Sequence, residues 1–467
     1  MHLTPRRTAT AAGLLLLLQA LLLVWMVFHR RINPDEGFYL AASRQVAAGQ
    51  VLYRDYFYPQ MPYLPYLFAP LVLAGLPLLT AARITAAACS IVLSWVLYRE
   101  SARWQLSATA RLALFACFVL HGLKLSTHAT AITHAPSDLL AFVSFIAIER
   151  ARPGWAGLCL GLAVGCRLPL LPLLPAYAAG LWWHGRARAL LPLAAGFALA
   201  LAPAGILALI DPANFIFGNY SFHALRGNFA DPIAAAWQKA AVLLKWLLFP
   251  QNLLLLLVTA GAGASVPVLP AVACVLIGAA LLQATPTYLI YAVQLLPFLF
   301  AAAAPGMQRL ARHRRALATT VAVYVLCLLP TLGLSPISVF SEEGEAKNRL
   351  WSRPTVAAVV ALIQRHSRPN DPVLSWWEGY PTFAGRPGYR GVGFWEANMA
   401  RKLAEPQAAA RHCLTLGRIG ALISAGEPQV IVTVPTTWSD FQPQINARYE
   451  RVGTIDAVQV YARRPLS

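Results

Sequence analysis

At 467 residues, with 58% apolar and only 12% charged side chains, the chain has half the charge density of an ordinary globular domain, which excludes a water-soluble fold for most of its length. The net charge of +19 does not point to nucleic acid, because the arginines sit in short clusters between apolar runs and are not interleaved with aromatics. Of the seven cysteines, Cys89, Cys117, Cys159, Cys166, Cys274 and Cys327 lie in apolar stretches and only Cys413 in polar text, so no disulfide framework or Cys-based metal site follows.

A spanning helix needs roughly 20 apolar residues. The first run, 11–28, follows Arg6/Arg7 and ends on His29-Arg30-Arg31 without a small-residue cleavage site, so an uncleaved span with its N-terminus inside is expected. Residues 29–80 are rich in Tyr and Pro and read as a long external loop with helices on the membrane surface. Further spans are expected near 81–98, 108–125, 138–149, 154–166, 168–184, 189–209, 241–261, 266–283, 286–304 and 316–335, about eleven by the length rule. The clusters Arg6/Arg7, Arg99/Arg103, Arg150/Arg152, Arg186/Arg188 and Arg309/Arg312/Arg314/Arg315 then all fall on one face, the cytoplasmic one. From about Phe340 the text turns polar and mixed. Ser352-Arg353-Pro354 opens a helix to about His366, residues 395–424 carry helical text, and 373–377, 429–434 and 457–462 read as strands. The expected fold class is mainly α: a polytopic transmembrane helical bundle, 1–335, with a small C-terminal α/β soluble domain, 336–467, on the external face.

The external segments gather acids, histidines and aromatics. Asp35-Glu36 follows the first span; either a helix-start charge or a proton-accepting carboxylate explains it. The stretch VLYRDYFYPQMPYLPY, 51–66, is either an interfacial aromatic belt or a sugar and phosphate wall, with Arg54, Asp55 and Tyr58 as contacts. His134-Ala-Pro-Ser-Asp138 opens an apolar helix, where Asp138 is a cap or a second reactive acid. With Asp35, Asp138 and His134 available, a divalent metal is compatible, although no HExxH-like spacing exists; no other cofactor is indicated. A segment at 210–240 adds Asp211, His223, Arg226 and Asp231. Arg167 interrupts GLAVGCRLPLLPLLP, and an arginine at membrane depth is a functional candidate unless it snorkels; Lys124 has the same ambiguity. In the C-terminal part Trp376, Trp377, Tyr380, Arg386 and Tyr389 could hold a glycan, but a core role suits the tryptophans better. No Walker loop, GxSxG elbow or dinucleotide fingerprint occurs.

The stretch DEGFYLAASRQVAAGQVLYRDYFYPQMPYLPYLFAP at 35–70, with SDLLAFVSF at 137–145, GLAVGCRLPLL at 161–171 and PTYLIYAVQLLPFL at 286–299, resembles the GT-C glycosyltransferases, in the bacterial branch related to protein mannosyltransferases and lipid A aminoarabinose transferases. Two departures stand out: Gln60 and Met61 occupy a stretch where many relatives carry Lys or His, and Arg167 stands where Lys is frequent. The resemblance implies a multi-pass enzyme of the bacterial cytoplasmic membrane with an external active site. Its donor would be a polyprenyl-phosphate sugar and its acceptor a lipid, polysaccharide or protein of the envelope. Transfer would be a single inverting displacement with Asp35 as base and Asp138 as second choice. Glu36, Arg54, Asp55, Tyr58, His134, Arg167 and Tyr288 would contact the donor. A transporter or flippase of lipid-linked sugars is the competing class, but paired broken helices in inverted repeats are not evident in the sequence.

Overall fold

The computed structural model describes residues 4–226, 232–284, 286–329, 349–389 and 402–465. Asp231, the side chain of Arg226, the boundary expected at 335/336, the end of the last expected span and the start of the 395–424 helix lie outside the described residues. The chain divides into two compact units. One contains the described residues within 1–28, 83–204 and 227–342, the other those within 29–82, 205–226 and 343–467.

The first unit is helical. Arg6–His29, Leu78–Ser101, Ala187–Ile210 and Leu289–Leu310 are long and apolar enough to cross a membrane alone, and two bent pairs pass the same test together. The remaining expected spans are occupied by shorter helices: His134–Glu149, Pro153–Cys166, Leu173–Trp183, Val268–Gln283 and Arg314–Leu326. The bent pairs are Ala108–Val119 with Gly122–His128, at 48°, and Pro232–Leu248 with Pro250–Ala260, at 73°. A break inside an apolar bundle frees backbone groups that must find partners. Here the two breaks satisfy each other. The Gln251 amide donates to Leu120 O at 3.0 Å and to Tyr324 O at 2.9 Å, and its carbonyl accepts the Gly122 N–H at 2.7 Å. His121 Nε2 and Asn252 Oδ1 lie 2.9 Å apart. Elsewhere small residues let helices touch backbone to backbone: a Cβ at Gly157 would sit 2.0 Å from Leu193 O.

The second unit holds a four-stranded sheet with β1 (Val373–Ser375), β2 (Val430–Thr433), β3 (Tyr449–Ile455) and β4 (Val458–Arg463), in the order β1-β2-β4-β3. β1 runs parallel to β2 in the register Leu374↔Ile431, and β2 pairs antiparallel with β4 in the register Ile431↔Tyr461. The α/β layer and the helix from Ser352 appear as expected, with helix Arg353–His366 capped by the Ser352 hydroxyl at 3.2 Å from Thr355 N. Strand β3 was not expected. Trp376 and Trp377 are core residues packed with Trp351, as their composition suggested. The loop 29–80 contributes two helices, Pro34–Ala47 and Tyr63–Leu73. The first is fastened to the sheet's flank: Trp377 Nε1 donates to Pro34 O at 2.8 Å, and Arg44 Nη1 donates to Thr382 O at 2.6 Å.

Candidate functional site

Four helices of the first unit enclose a buried polar cluster built from side chains that an apolar bundle would not otherwise tolerate. Asp138 lies in the first turns of His134–Glu149, and both it and His128, the last residue of Gly122–His128, are about 1% exposed. His128 Nε2 lies 3.0 Å from Asp138 Oδ2, and His128 Nδ1 lies 3.0 Å from Ser90 Oγ. The Gln19 amide donates to Ser90 Oγ at 3.2 Å. With Asp138 ionised, one donor sense satisfies the whole chain: Gln19 N–H to Ser90, Ser90 O–H to Nδ1 of a neutral ring, and Nε2–H to the carboxylate. Lys124 joins from the same side by donating to Ser94 Oγ at 2.8 Å, with its ammonium 4.4 Å from the Phe118 ring centroid.

Next to Asp138 the hydrogen bonding is incomplete. Arg167 ends the helix Pro153–Cys166 at an extended residue, φ −148° and ψ 109°, which turns its side chain inward and leaves it 7% exposed. Its Nη1 donates to Thr133 Oγ1 at 3.0 Å and its guanidinium carbon lies 5.1 Å from the Tyr291 ring centroid, but Nε has no hydrogen-bond partner. His134 stacks on the same ring, Tyr291, at 6.2 Å and 22°, and neither of its ring nitrogens is partnered. Gln294 is buried beside Asp138, and its side-chain amide faces that carboxylate. Tyr288 meets Tyr291 edge-on at 5.5 Å. Donors buried without partners cost about 1–3 kcal/mol each, so several in one place mark a site built for something else to occupy. The donor set Arg, His and amide, packed on aromatic rings, suits an anion such as a phosphate ester.

Of the residues expected from the sequence, the structure therefore brings together Asp138, His134, Arg167 and Tyr288. Lys124 lies in the same unit, and Asp35, Glu36, Arg54, Asp55, Tyr58, Asp211 and His223 belong to the second unit. Asn33 caps the helix Pro34–Ala47 by accepting the Asp35 N–H at 2.9 Å, and Glu36 accepts the Asn33 N–H at 2.7 Å, a reciprocal capping box. Glu36 is buried and Asp35 half-buried. Arg54 makes a bidentate pair with Asp55, both contacts 2.9 Å, on an exposed turn, and Asp55 also accepts the Val51 N–H. Tyr58 is buried and stacked on Phe38, with centroids 5.2 Å apart. Asp211 caps its own helix by accepting the Asn214 N–H at 2.9 Å, and His223 Nε2 lies 2.9 Å from Pro59 O. Sequence reading missed Ser90, Gln19, Thr133, Tyr291 and Gln294. Among the described residues no group of three or more His, Cys, Asp or Glu side chains is placed to hold a metal ion, so the metal reading of Asp35, Asp138 and His134 has no such group behind it.

Solved structures share the fold of this chain over nearly its whole length. ArnT from Cupriavidus metallidurans in the apo state aligns over 98% of this chain and all of its own, at 15% identity and a TM-score of 0.64. The same protein bound to undecaprenyl phosphate aligns over the same extent, again at 15% identity, with a TM-score of 0.68. The chain has the fold of these ArnT structures. No family model and no curated protein sequence matches it. At 15% identity the likeness covers the fold, not the chemistry, and the expectation of a mainly helical, multi-pass GT-C architecture is met at that level.

Proposed function

We propose that this GT-C chain is a glycosyltransferase of the bacterial cytoplasmic membrane that moves a sugar from a polyprenyl-phosphate donor to an envelope acceptor on the external side. The observation that carries the reading is the incomplete cluster in the bundle: a buried Arg167 with an unpartnered Nε, a His134 ring with both nitrogens unpartnered, and Gln294 and the acid Asp138 beside them. A fold shared with an ArnT structure bound to undecaprenyl phosphate supports a lipid-phosphate occupant for such a site.

The chemistry follows from charge. The acceptor hydroxyl attacks the anomeric carbon as the bond from that carbon to the phosphate oxygen breaks, with inversion. The phosphate leaves as an anion and needs no proton, so stabilising its charge is the main task, and Arg167 with the His134 and Gln294 donors would supply it in a water-poor pocket. The acceptor proton passes to a carboxylate as the bond forms. A carboxylate near its ordinary pKa of about 4 cannot ionise a sugar hydroxyl beforehand, so it must act as a general base in the transition state. Asp35 is assigned that role and Asp138 is the second candidate; Glu36, Arg54, Asp55, Tyr58 and Tyr288 are assigned to the donor.

Purified protein given a radiolabelled polyprenyl-phosphate sugar should release the sugar to acceptor or water and accumulate free polyprenyl phosphate. Asp35→Asn should lower turnover by about 10²–10⁴-fold with normal membrane insertion. Near-normal turnover in Asp35→Asn overturns its assignment as base. Passage of the intact donor across vesicles, with the sugar still attached, would instead favour a transporter.

A further inference from the structure

The helices of the first unit converge at one end in turns that carry most of its arginines. Arg150 pairs with Glu100, and Arg103 Nε lies 3.5 Å from Glu100 Oε1. The Ser107 N–H donates to Gln308 Oε1 at 2.7 Å, and Arg309 Nη1 donates to Gly261 O at 2.9 Å. Asp138 belongs to the other end: it opens the helix that closes on Glu149, about 16 Å away at 1.5 Å per residue.

Among the arginine-bearing turns lies a cavity of about 1040 Å³ that plays no part in the proposed transfer. Its wall is apolar, with Phe145, Val272 and Ala301, while Trp183, Arg103, Arg186 and His184 are among the lining residues that reach the surface, with Glu149 as the exposed acid beside them. That volume is at the upper end of ordinary ligand sites, about 300–1000 Å³. Trp at the rim is the signature of a headgroup level, and two arginines above an apolar chamber match a molecule with a phosphate head and a hydrocarbon tail.

We propose that this cavity binds an anionic phospholipid, an acyl chain inside it and the headgroup phosphate on Arg103 and Arg186. Charge complementarity selects this occupant over a neutral lipid: basic pockets between membrane helices at the basic face recognise anionic headgroups, and Glu149 together with Glu100, which Arg103 shares with Arg150, leaves the three arginines Arg103, Arg150 and Arg186 in excess of the two acids. The cavity differs in place and lining from the Arg167 cluster, so the inference does not depend on the transferase reading.

Native mass spectrometry of the full chain, with matched additions of phosphatidylglycerol and phosphatidylcholine of identical chains, tests it. Phosphatidylglycerol should be retained about tenfold or more over phosphatidylcholine. The double variant Arg103→Ala/Arg186→Ala should reduce its retention to the phosphatidylcholine level. Gly180 lines the cavity and an added Cβ there meets nothing within 4 Å, so Gly180→Leu should fill space without a clash and lower retention while leaving the charges in place. Equal retention of the two lipids overturns the proposal, as does unchanged retention in Gly180→Leu. Displacement of phosphatidylglycerol by substoichiometric polyprenyl phosphate overturns it too, by assigning the cavity to that lipid.

Discussion

Replacing Gly37 with Ala should loosen the helix that carries Asp35 from the sheet that supports it. A Cβ at Gly37 would lie 2.6 Å from Trp377 Cε2 and Cζ2 and 2.7 Å from Gly379 Cα. Neither neighbour can retreat cheaply. Gly379 presents backbone, and the Trp377 ring is held by its bond to Pro34 O, by Trp351 at 4.8 Å and by Tyr380 at 4.8 Å. Overpacking at such a site costs about 1–3 kcal/mol, and better helix propensity returns at most about 1 kcal/mol. The net expectation is about 1–2 kcal/mol, enough to shift a local equilibrium about 5–30-fold. Intrinsic tryptophan fluorescence during thermal unfolding reads it directly, because Trp377 is the residue displaced. The midpoint should fall by about 2–5 °C and the emission of the native state should move to the red. Gly13→Ala, inside a helix where an added Cβ meets nothing, is the control and should leave the emission unchanged without lowering the midpoint. A Gly37→Ala protein with the parent's midpoint and emission would show that the helix is not seated against Trp377 and Gly379 as described.

Two further outcomes follow from the same reasoning. Arg167→Ala should raise the KM for a polyprenyl-phosphate donor by about tenfold or more while changing that for the acceptor little, since removing a charged hydrogen-bond donor to a phosphate loses about 1.5–3 kcal/mol; steady-state kinetics with each substrate varied would contradict it if both constants moved together. In the second unit, burial pushes the Glu378 carboxyl up to about 7. A carboxyl raised on folding stabilises the protein below its unfolded value of about 4.5, and that contribution fades as pH rises towards 7, because the folded state must then bury a charge. Glu378 keeps partial solvent contact, so the loss should be about 1–2 kcal/mol. Glu378→Gln should therefore raise the unfolding midpoint at pH 8 relative to parent and not at pH 4.5; an equal shift at both would refute it.

The sequence makes most of the bundle readable because long apolar runs have one solution in hydrocarbon. It hides the polar cluster for a specific reason. Asp138, His134 and Arg167 are conspicuous as charged or titratable groups in apolar text, and each proves buried in one cluster. Ser90, Gln19 and Thr133 are uncharged and are paired over separations of 71, 38 and 34 residues that no local pattern encodes. Gln294 and Tyr291 stand inside the 286–299 stretch already singled out, where Tyr288 drew the attention. Strand β3 was missed because it lies at the sheet edge and shows Glu450 and Arg451 to solvent, so it lacks the apolar alternation that reveals β2 and β4.

The geometry also separates residues that look equivalent in the sequence. Asp35 and Glu36 are adjacent acids, yet the capping box uses the Glu36 carboxylate and the backbone N–H of Asp35. Capping therefore explains why an acid stands at 36, while Asp35 shares the same first turn, where negative charge suits the helix dipole. The same logic divides the arginines. Arg54 is exposed and held bidentately by its neighbour Asp55, so engaging a phosphate would require giving up a pair already made. Arg167 is buried, makes one side-chain hydrogen bond and keeps Nε unpartnered beside other unpartnered donors. For Arg167 the desolvation cost has already been met on folding, so an arriving phosphate gains interactions without displacing an existing partner. On that argument the arginine in the bundle is the stronger candidate for the leaving-group phosphate, and the one in the loop is the stronger candidate for shaping the turn that carries it.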